Sequence, residues 1–189
     1  MIASPTKIPD LLSISVTRHG DARGFFAETY NQKAYSHAGI ETVFVQDNHS
    51  VSEFAGTVRG LHYQKAPYAQ VKLVRCGRGS LFDVAVDIRI GSPTYGHWHG
   101  EVLSSENGRQ LYIPEGFAHG FVTLEDDTEI VYKCSNFYAL ECEGAVRFDD
   151  PDIGIDWPEI GGRTTISEKD MRAPMLRDLA SPFKFAVRT

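Results

Sequence analysis

"SLFDVAVDIRI", residues 80–90, decides the fold class. Phe82, Val84, Val86 and Ile88 fall on one parity, and Asp83, Asp87 and Arg89 on the other. A period of two belongs to a β-strand, because successive side chains point to opposite faces. Outward from this run the pattern recurs. "RQLYIP" (109–114) and "GFVTL" (120–124) are short β-rich runs ended by turn or charged residues. In "TEIVYKCSNFY" (128–138), Ile130, Tyr132 and Cys134 share a face. Turn-forming clusters separate the runs: "RCGRGS" (75–80), "IGSPTYG" (90–96), "SSENGR" (104–109) and "LEDDT" (124–128). Helical pattern is confined to "NQKAYSHAG" (31–39) and to "SEKDMRAPMLRDL" (167–179), which Pro174 interrupts. Many short strands without helices between them predict an all-β sandwich or barrel with a few short helices. A double-sheet jelly roll turns inward faces toward a pocket-like interior, so polar residues on those faces become site candidates.

Composition bounds the rest. A chain of 189 residues predicts a single domain over 1–189 with a sizeable core. It is 42% hydrophobic and 23% charged, ordinary for a globular protein. No stretch reaches the roughly 18 apolar residues that span a membrane. "MIASPTKIPDLLSISV" lacks a basic segment followed by a long apolar one, so no secretory leader is expected. Cys76, Cys134 and Cys142 are an odd number without regular spacing, which fits a reducing cytoplasm better than a disulfide framework. The formal charge of −6 argues against a general nucleic-acid binder, and neither nucleic acid nor membrane is an expected partner.

Three polar residues break the strand reading of "RGLHYQKAPYAQVKLVRC" (59–76): Arg59, His62 and Lys72. His62 follows apolar Leu61 and reads as either a hydrogen-bonded structural histidine or a site residue. Lys72 shares the parity of Gln70, Val74 and Cys76. It lies either on an edge with its stem snorkelling to water or inside with a partner. "HWHG" raises a metal hypothesis at His97 and His99, but a zinc or iron site needs about three protein ligands. No third ligand stands at a compact spacing, so no metal is expected. "RHGDARG" (18–24) reads as a plain turn, and "SEKD" as a helix start capped by Ser167 with Asp170 three residues on.

The motifs in order are more specific than any one of them. The chain carries "DARGFFAETYN" (21–31), "VQDNHS" (45–50), "VRGLHYQ" (58–64), "KLVRCGRGSLFDVAVDIRIGSPTYGHW" (72–98), "YIPEGFAHGF" (112–121), "YKCSNFYALECEG" (132–144), "DDPDIGIDWP" (149–158) and "SEKD" (167–170). In this order they resemble the dTDP-4-dehydrorhamnose 3,5-epimerase family from about Asp21 to Asp170. The resemblance implies a cupin-like jelly roll (a double-stranded β-helix), a homodimer, and epimerisation without metal or organic cofactor. The substrate it implies is a dTDP-linked 4-keto-6-deoxy sugar.

Carbons 3 and 5 of such a sugar flank the ketone and carry weakly acidic hydrogens. Inversion needs a base on one side, an acid on the other, and a positive group beside the developing enolate. By resemblance His62 is the base, Asp170 fixes its tautomer, Lys72 supplies the charge and Tyr132 is the acid. The resemblance implies substrate contacts at Arg23, Glu28, Gln46, Asp47, Asn48, Arg59, Lys72, His119, Tyr138, Glu143 and Lys169. Arg23 and Arg59 suit phosphate and sugar oxygens, because a guanidinium grips them in pairs. Asp83 is an anion that could support Lys72, or a structural charge of its strand. The family often has proline two residues after the second tyrosine, where this chain has Leu140. Alternative readings are a single-site epimerase on a related dTDP-keto sugar and, from another class, a metal-dependent cupin oxygenase or a sugar-binding module.

Overall fold

The computed structural model describes residues 1–160 and 164–186. Two antiparallel sheets face each other. The first has six strands in the order β1 (Ile2–Pro5), β2 (Leu12–Ser15), β10 (Arg109–Ile113), β7 (Lys72–Arg78), β12 (Thr128–Cys134) and β5 (Gln46–Ser52). The second has five, in the order β13 (Glu143–Ala145), β6 (Val58–Gln64), β11 (Phe117–Thr123), β8 (Ser80–Asp87) and β9 (Trp98–Ser104). A separate hairpin joins β3 (Arg18–Asp21) to β4 (Gly24–Ala27). The helices are α1 (Gln32–His37) and α2 (Glu168–Met171). This is the all-β, cupin-like jelly-roll class anticipated from the sequence, and among the described residues no helix is long and apolar enough to cross a membrane.

The alternation of β8 does more than a half-buried strand requires. A half-buried strand would turn Asp83 and Asp87 to water, yet both are fully buried. Phe82, Val84 and Val86 pack outward against Ile153, Trp157, Leu176 and Phe183 of the C-terminal wrap. Leu81 and Ala85, on the aspartate parity, join Val74, Leu103, Leu111 and Ile130 between the sheets. The aspartates therefore lie on the inter-sheet face. Each fully buried Leu, Ile or Val stabilises the fold by roughly 1.5–3 kcal/mol, so the two layers supply what the buried carboxylates cost. Asp87 is fully partnered: Arg89, Ser92 and Thr94 all donate to it.

A third apolar cluster covers the outer face of the first sheet, where Tyr35 of α1 meets Ile14, Ile40 and Leu73. Asn31 caps α1, its side chain accepting from the Ala34 N–H.

The structure decides three points. Of the two positions open to Lys72 it takes the inside one, since β7 lies between β10 and β12. Strand β12 ends at Cys134, where the Ser135 hydroxyl takes the Val71 N–H, so Tyr138 has no strand parity and is 56% exposed. His97 precedes β9 and is exposed, so it does not share a strand face with His99.

Candidate active site

A cleft of about 520 Å³ opens between the sheets, lined by Arg59 and His62 of β6, Lys72 of β7, His119 and Phe121 of β11, Tyr132 of β12, and residues 165–167, Lys169 and Asp170. Register explains the convergence. His62 and His119 are paired across β6 and β11. Lys72 is paired with Cys134 across β7 and β12, and Tyr132 stands two residues away on the same face. The close approach of β6 to β11 depends on Gly60 and Gly120. A Cβ on Gly120 would lie 2.8 Å from the Arg59 carbonyl oxygen and 3.1 Å from the Gly60 Cα.

His62 Nε2 is 2.7 Å from Asp170 Oδ1. The carboxylate accepts, so Nε2 carries the proton and Nδ1 keeps its lone pair. Asp170 is held from two further sides. The Gly60 N–H donates to its Oδ2 at 3.4 Å, and its own N–H donates to the Ser167 hydroxyl, the capping of α2 read from "SEKD". Burial pushes the Asp170 carboxyl up, but the His62 bond and charge and the Gly60 and Ser167 bonds outweigh it and hold the group below the usual carboxylate range.

Lys72 faces Tyr132 from the same sheet, its Nζ 5.9 Å from the ring centroid. Burial lowers the Lys72 ammonium, against the opposing charges of Asp83 and Glu143. Burial pushes the Tyr132 phenol up, with Arg59 opposing, so it remains protonated well above neutral pH. His62 and Tyr132 come from different sheets and so approach the cleft from different walls. Arg59, Lys72 and Lys169 make the cleft cationic in a chain of net charge −6, a field suited to a diphosphate.

The binding residues anticipated from the sequence divide into three groups. Arg59, Lys72, His119 and Lys169 line the cleft. Tyr138, Glu143 and Lys169 form a cluster, with the Tyr138 hydroxyl 3.3 Å and Lys169 Nζ 2.5 Å from Glu143 Oε2. Gln46 donates to Asn48, and its other amide atom accepts from the Tyr138 N–H, which places both β5 residues near that cluster. The third group does not converge. Arg23 is exposed on the β3–β4 hairpin and pairs with Asp21, and Glu28 is exposed beyond β4. Asp47 projects from the opposite face of β5 and pairs with Lys133 at 3.0 Å. Ser50, Thr57, Phe121 and Thr165 line the cleft without having been anticipated. Ser50 shares the parity of Gln46 and Asn48, a signal legible once β5 is recognised as a strand.

Among the described residues no group of three or more histidine, cysteine, aspartate or glutamate side chains is placed to hold a metal ion. His99 lies 4.0 Å from Glu101 instead of facing His97.

The family model for dTDP-4-dehydrorhamnose 3,5-epimerase matches residues 5–178. The dTDP-4-dehydrorhamnose 3,5-epimerase of Salmonella typhimurium is 51% identical over 177 residues, covering 93% of this chain and 96% of that protein. The crystal structure of a dTDP-6-deoxy-D-glucose-3,5-epimerase from Legionella pneumophila, in complex with dTDP-4-keto-L-rhamnose, superposes with a TM-score of 0.94 at 43% identity. It covers 98% of this chain and 99% of that one. A 3'-monoepimerase from Streptomyces bikiniensis, in complex with dTDP-quinovose, gives 0.86 at 37% identity, covering 92% and 87%. Sequence and architecture agree along nearly the whole chain, and the chain belongs to the dTDP-4-dehydrorhamnose 3,5-epimerase family.

Proposed function

We propose that this chain epimerises dTDP-4-keto-6-deoxy-D-glucose at carbons 3 and 5, giving dTDP-4-keto-L-rhamnose. The observation that carries the reading is the His62–Asp170 pair at 2.7 Å, facing a cleft that also holds Lys72 and Tyr132. His62 Nδ1 takes the proton from the carbon beside the ketone, and Asp170 steadies the imidazolium that results. Lys72 stabilises the oxygen that becomes an enolate. Its charge sits in a buried site, where a preorganised interaction is worth several kcal/mol more than in water. Tyr132, on another wall, returns a proton to the opposite face of the carbon. Base and acid on separate walls are what inversion requires, since one group acting alone returns the proton with retention.

Arg59 and Lys169 hold the diphosphate and sugar, and His119, Glu143, Tyr138, Gln46 and Asn48 hold the remainder of the substrate. Arg23, Glu28 and Asp47 complete the site of a partner subunit in a homodimer. Their exposure away from the cleft supports this, as do Phe25 and Phe26 of the same hairpin, 60% and 71% exposed. The setting is the cytoplasm, and the reaction needs no metal or organic cofactor.

The relationship to the S. bikiniensis monoepimerase supports a second reading, inversion at one carbon only. Incubation with dTDP-4-keto-6-deoxyglucose in deuterated water separates the two. Deuterium at both carbons with inversion at both is expected. Inversion at a single carbon would replace the first reading with the second, and a protein that neither exchanges nor inverts would sink both.

A further inference from the structure

Asp83 is buried completely, and its two oxygens differ. Oδ1 lies 2.7 Å from His119 Nε2, while Oδ2 is buried without any hydrogen-bond partner. An unmet carboxylate oxygen inside a protein is costly unless a charge opposes it. Across the cleft, Lys72 makes no ion pair with any carboxylate among the described residues, though its strand lies inside the sheet, between β10 and β12, and its side chain lines the cleft. One uncompensated anion and one uncompensated cation thus share the inter-sheet space.

We infer that Asp83 is a positioning residue: its buried carboxylate is the counter-ion that keeps Lys72 an ammonium, and through Nε2–H it fixes the His119 tautomer with its acceptor at Nδ1. This rests on the reading of Lys72 as the partner of the enolate.

The charges that face Lys72 are few. Its own strand presents Cys76 on that parity, and Arg78, farther along and beyond a register shift, is exposed. From β12 come the Tyr132 phenol and the Cys134 thiol, both pushed up by burial and so uncharged at neutral pH. From β6, Arg59 and His62 line the same cleft and, when charged, oppose a second cation. Glu143 of β13 acts on Lys72 but is already committed to Lys169 and Tyr138. From α2, Asp170 is committed to His62. Asp83 of β8 is left as the carboxylate with an unused oxygen. His119 of β11 does not add charge: burial pushes its imidazole down, against the pull of Asp83, and Lys72 and His62 push it further. Asp83 therefore serves two groups, one through each oxygen. A neutral His119 avoids placing a second cation beside Lys72, and its Nδ1 can accept from a sugar hydroxyl.

Asp83→Asn removes the charge and keeps the shape, since an amide oxygen still accepts from His119 Nε2–H. With lysine side chains labelled with nitrogen-15 at Nζ, the Lys72 ammonium is titrated by NMR in both proteins. Loss of a nearby buried anion is expected to lower its midpoint by about one to two pH units. The alkaline limb of solvent-deuterium exchange into the keto sugar should fall with it, and exchange should recover as the pH is lowered. A Lys72 midpoint that stays within 0.3 pH units, roughly the scatter of such titrations set against the one-unit effect of a counter-ion, would overturn the inference. A merely structural Asp83 would give that result together with a lower Tm. If Asp83→Asn does not fold, carbon-13 titration of the Asp83 carboxyl in the unaltered protein decides: ionised at pH 7 supports the inference, and protonated refutes it. A protein that never exchanged deuterium would defeat the epimerase reading and leave the Lys72 titration to decide this one.

Discussion

Replacing Asp170 by asparagine separates the charge of that residue from its shape. The carboxylate is 4% exposed, and the amide fits the same space. Its oxygen still accepts from His62 Nε2–H, so the tautomer is kept. What is lost is the attraction between the carboxylate and the imidazolium that forms as the sugar is deprotonated. Two unit charges roughly 4 Å apart attract by about 4 kcal/mol at an effective dielectric constant near 20. His62 leaves 32% of its side-chain surface to water, which screens part of this. A loss of about 2–3 kcal/mol in the transition state corresponds to a rate ~30- to 150-fold lower. Folding should suffer less. The amide NH2 faces the Gly60 N–H where Oδ2 accepted it, and one lost bond costs about 1 kcal/mol, or roughly 2–4 °C in Tm at this chain length. The assay is solvent-deuterium exchange into the keto sugar, with a thermal melt on the same preparation. Exchange within three-fold of the unaltered enzyme would refute the role of Asp170 charge. A Tm lowered by more than 10 °C would show instead that Asp170 mainly secures α2 against β6.

Tyr132→Phe leaves His62 and Lys72 in place, so recovered substrate should still acquire deuterium while epimerised product falls far more; proportional loss of both would count against a dedicated acid at Tyr132. Gly120→Ala puts a methyl 2.8 Å from the Arg59 carbonyl and 2.9 Å from Leu61 Cδ2, forcing β6 away from β11. Overpacking of about 1–3 kcal/mol should lower Tm by roughly 3–10 °C and reduce turnover with it, and an unchanged melt would show that the strands separate at no cost. Asp87→Asn tests the buried Arg89 network. Burial raises the Asp87 carboxyl, but bonds from Arg89, Ser92 and Thr94 outweigh it and hold it below its ordinary value. A depressed carboxyl stabilises the fold above its unfolded pKa of about 3.9 and loses that contribution as pH falls through the folded value. The variant should therefore be less stable by roughly 3 kcal/mol at pH 7, with the gap narrowing below about pH 4; a gap that stayed constant down to pH 2 would contradict the shift.

The strands legible in the sequence are those whose two faces meet different surroundings or that carry an apolar run. β10 and β12 show that contrast, and they were read within a few residues, as were β8 and β11, whose apolar runs announce a strand although both faces are covered. β1 to β4 were not read as strands. They are four residues long, and "IASP" and "RHGD" have mostly exposed side chains, so neither face carries an apolar signal. β5 fails for a related reason: "QDNHSVS" alternates between intermediate and exposed positions, and its inward face is polar because it borders the cleft. Composition alone could not assign the burial of Asp83. Its parity was plain, but both faces of β8 are covered, and nothing within residues 80–90 announces the C-terminal wrap that covers the second.

The site was legible in another way. His62 and Asp170 are 108 positions apart, and no local pattern links them; the order of the motifs did. A resemblance carries residue identities without saying which wall, or which subunit, presents them. Arg23, Glu28 and Asp47 were transferred with the same warrant as Arg59, yet only Arg59 reaches the cleft of its own chain. The physical organisation explains why the transferred set divides. A base, an acid and a counter-charge must be held to within fractions of an ångström, and only paired inner strands of a packed sandwich do that. Holding a diphosphate tolerates more slack, so contacts proposed for it can be placed on edges and hairpins such as β3–β4 as well as on inner strands. The division also locates the cost of the site. His62–Asp170 and His119–Asp83 are two histidine–aspartate pairs set side by side by the β6–β11 register, with the half-buried Lys72 opposite. Buried ionisable groups in that number would destabilise the interior if left unpaired. The pairing itself is what lets them remain, and the apolar layers on the outer faces of both sheets provide the compensating burial. Substitutions in those outer layers should therefore lower Tm while leaving the pH dependence of exchange unchanged, whereas charge-removing substitutions at Asp83 or Asp170 should alter exchange before they alter the melt.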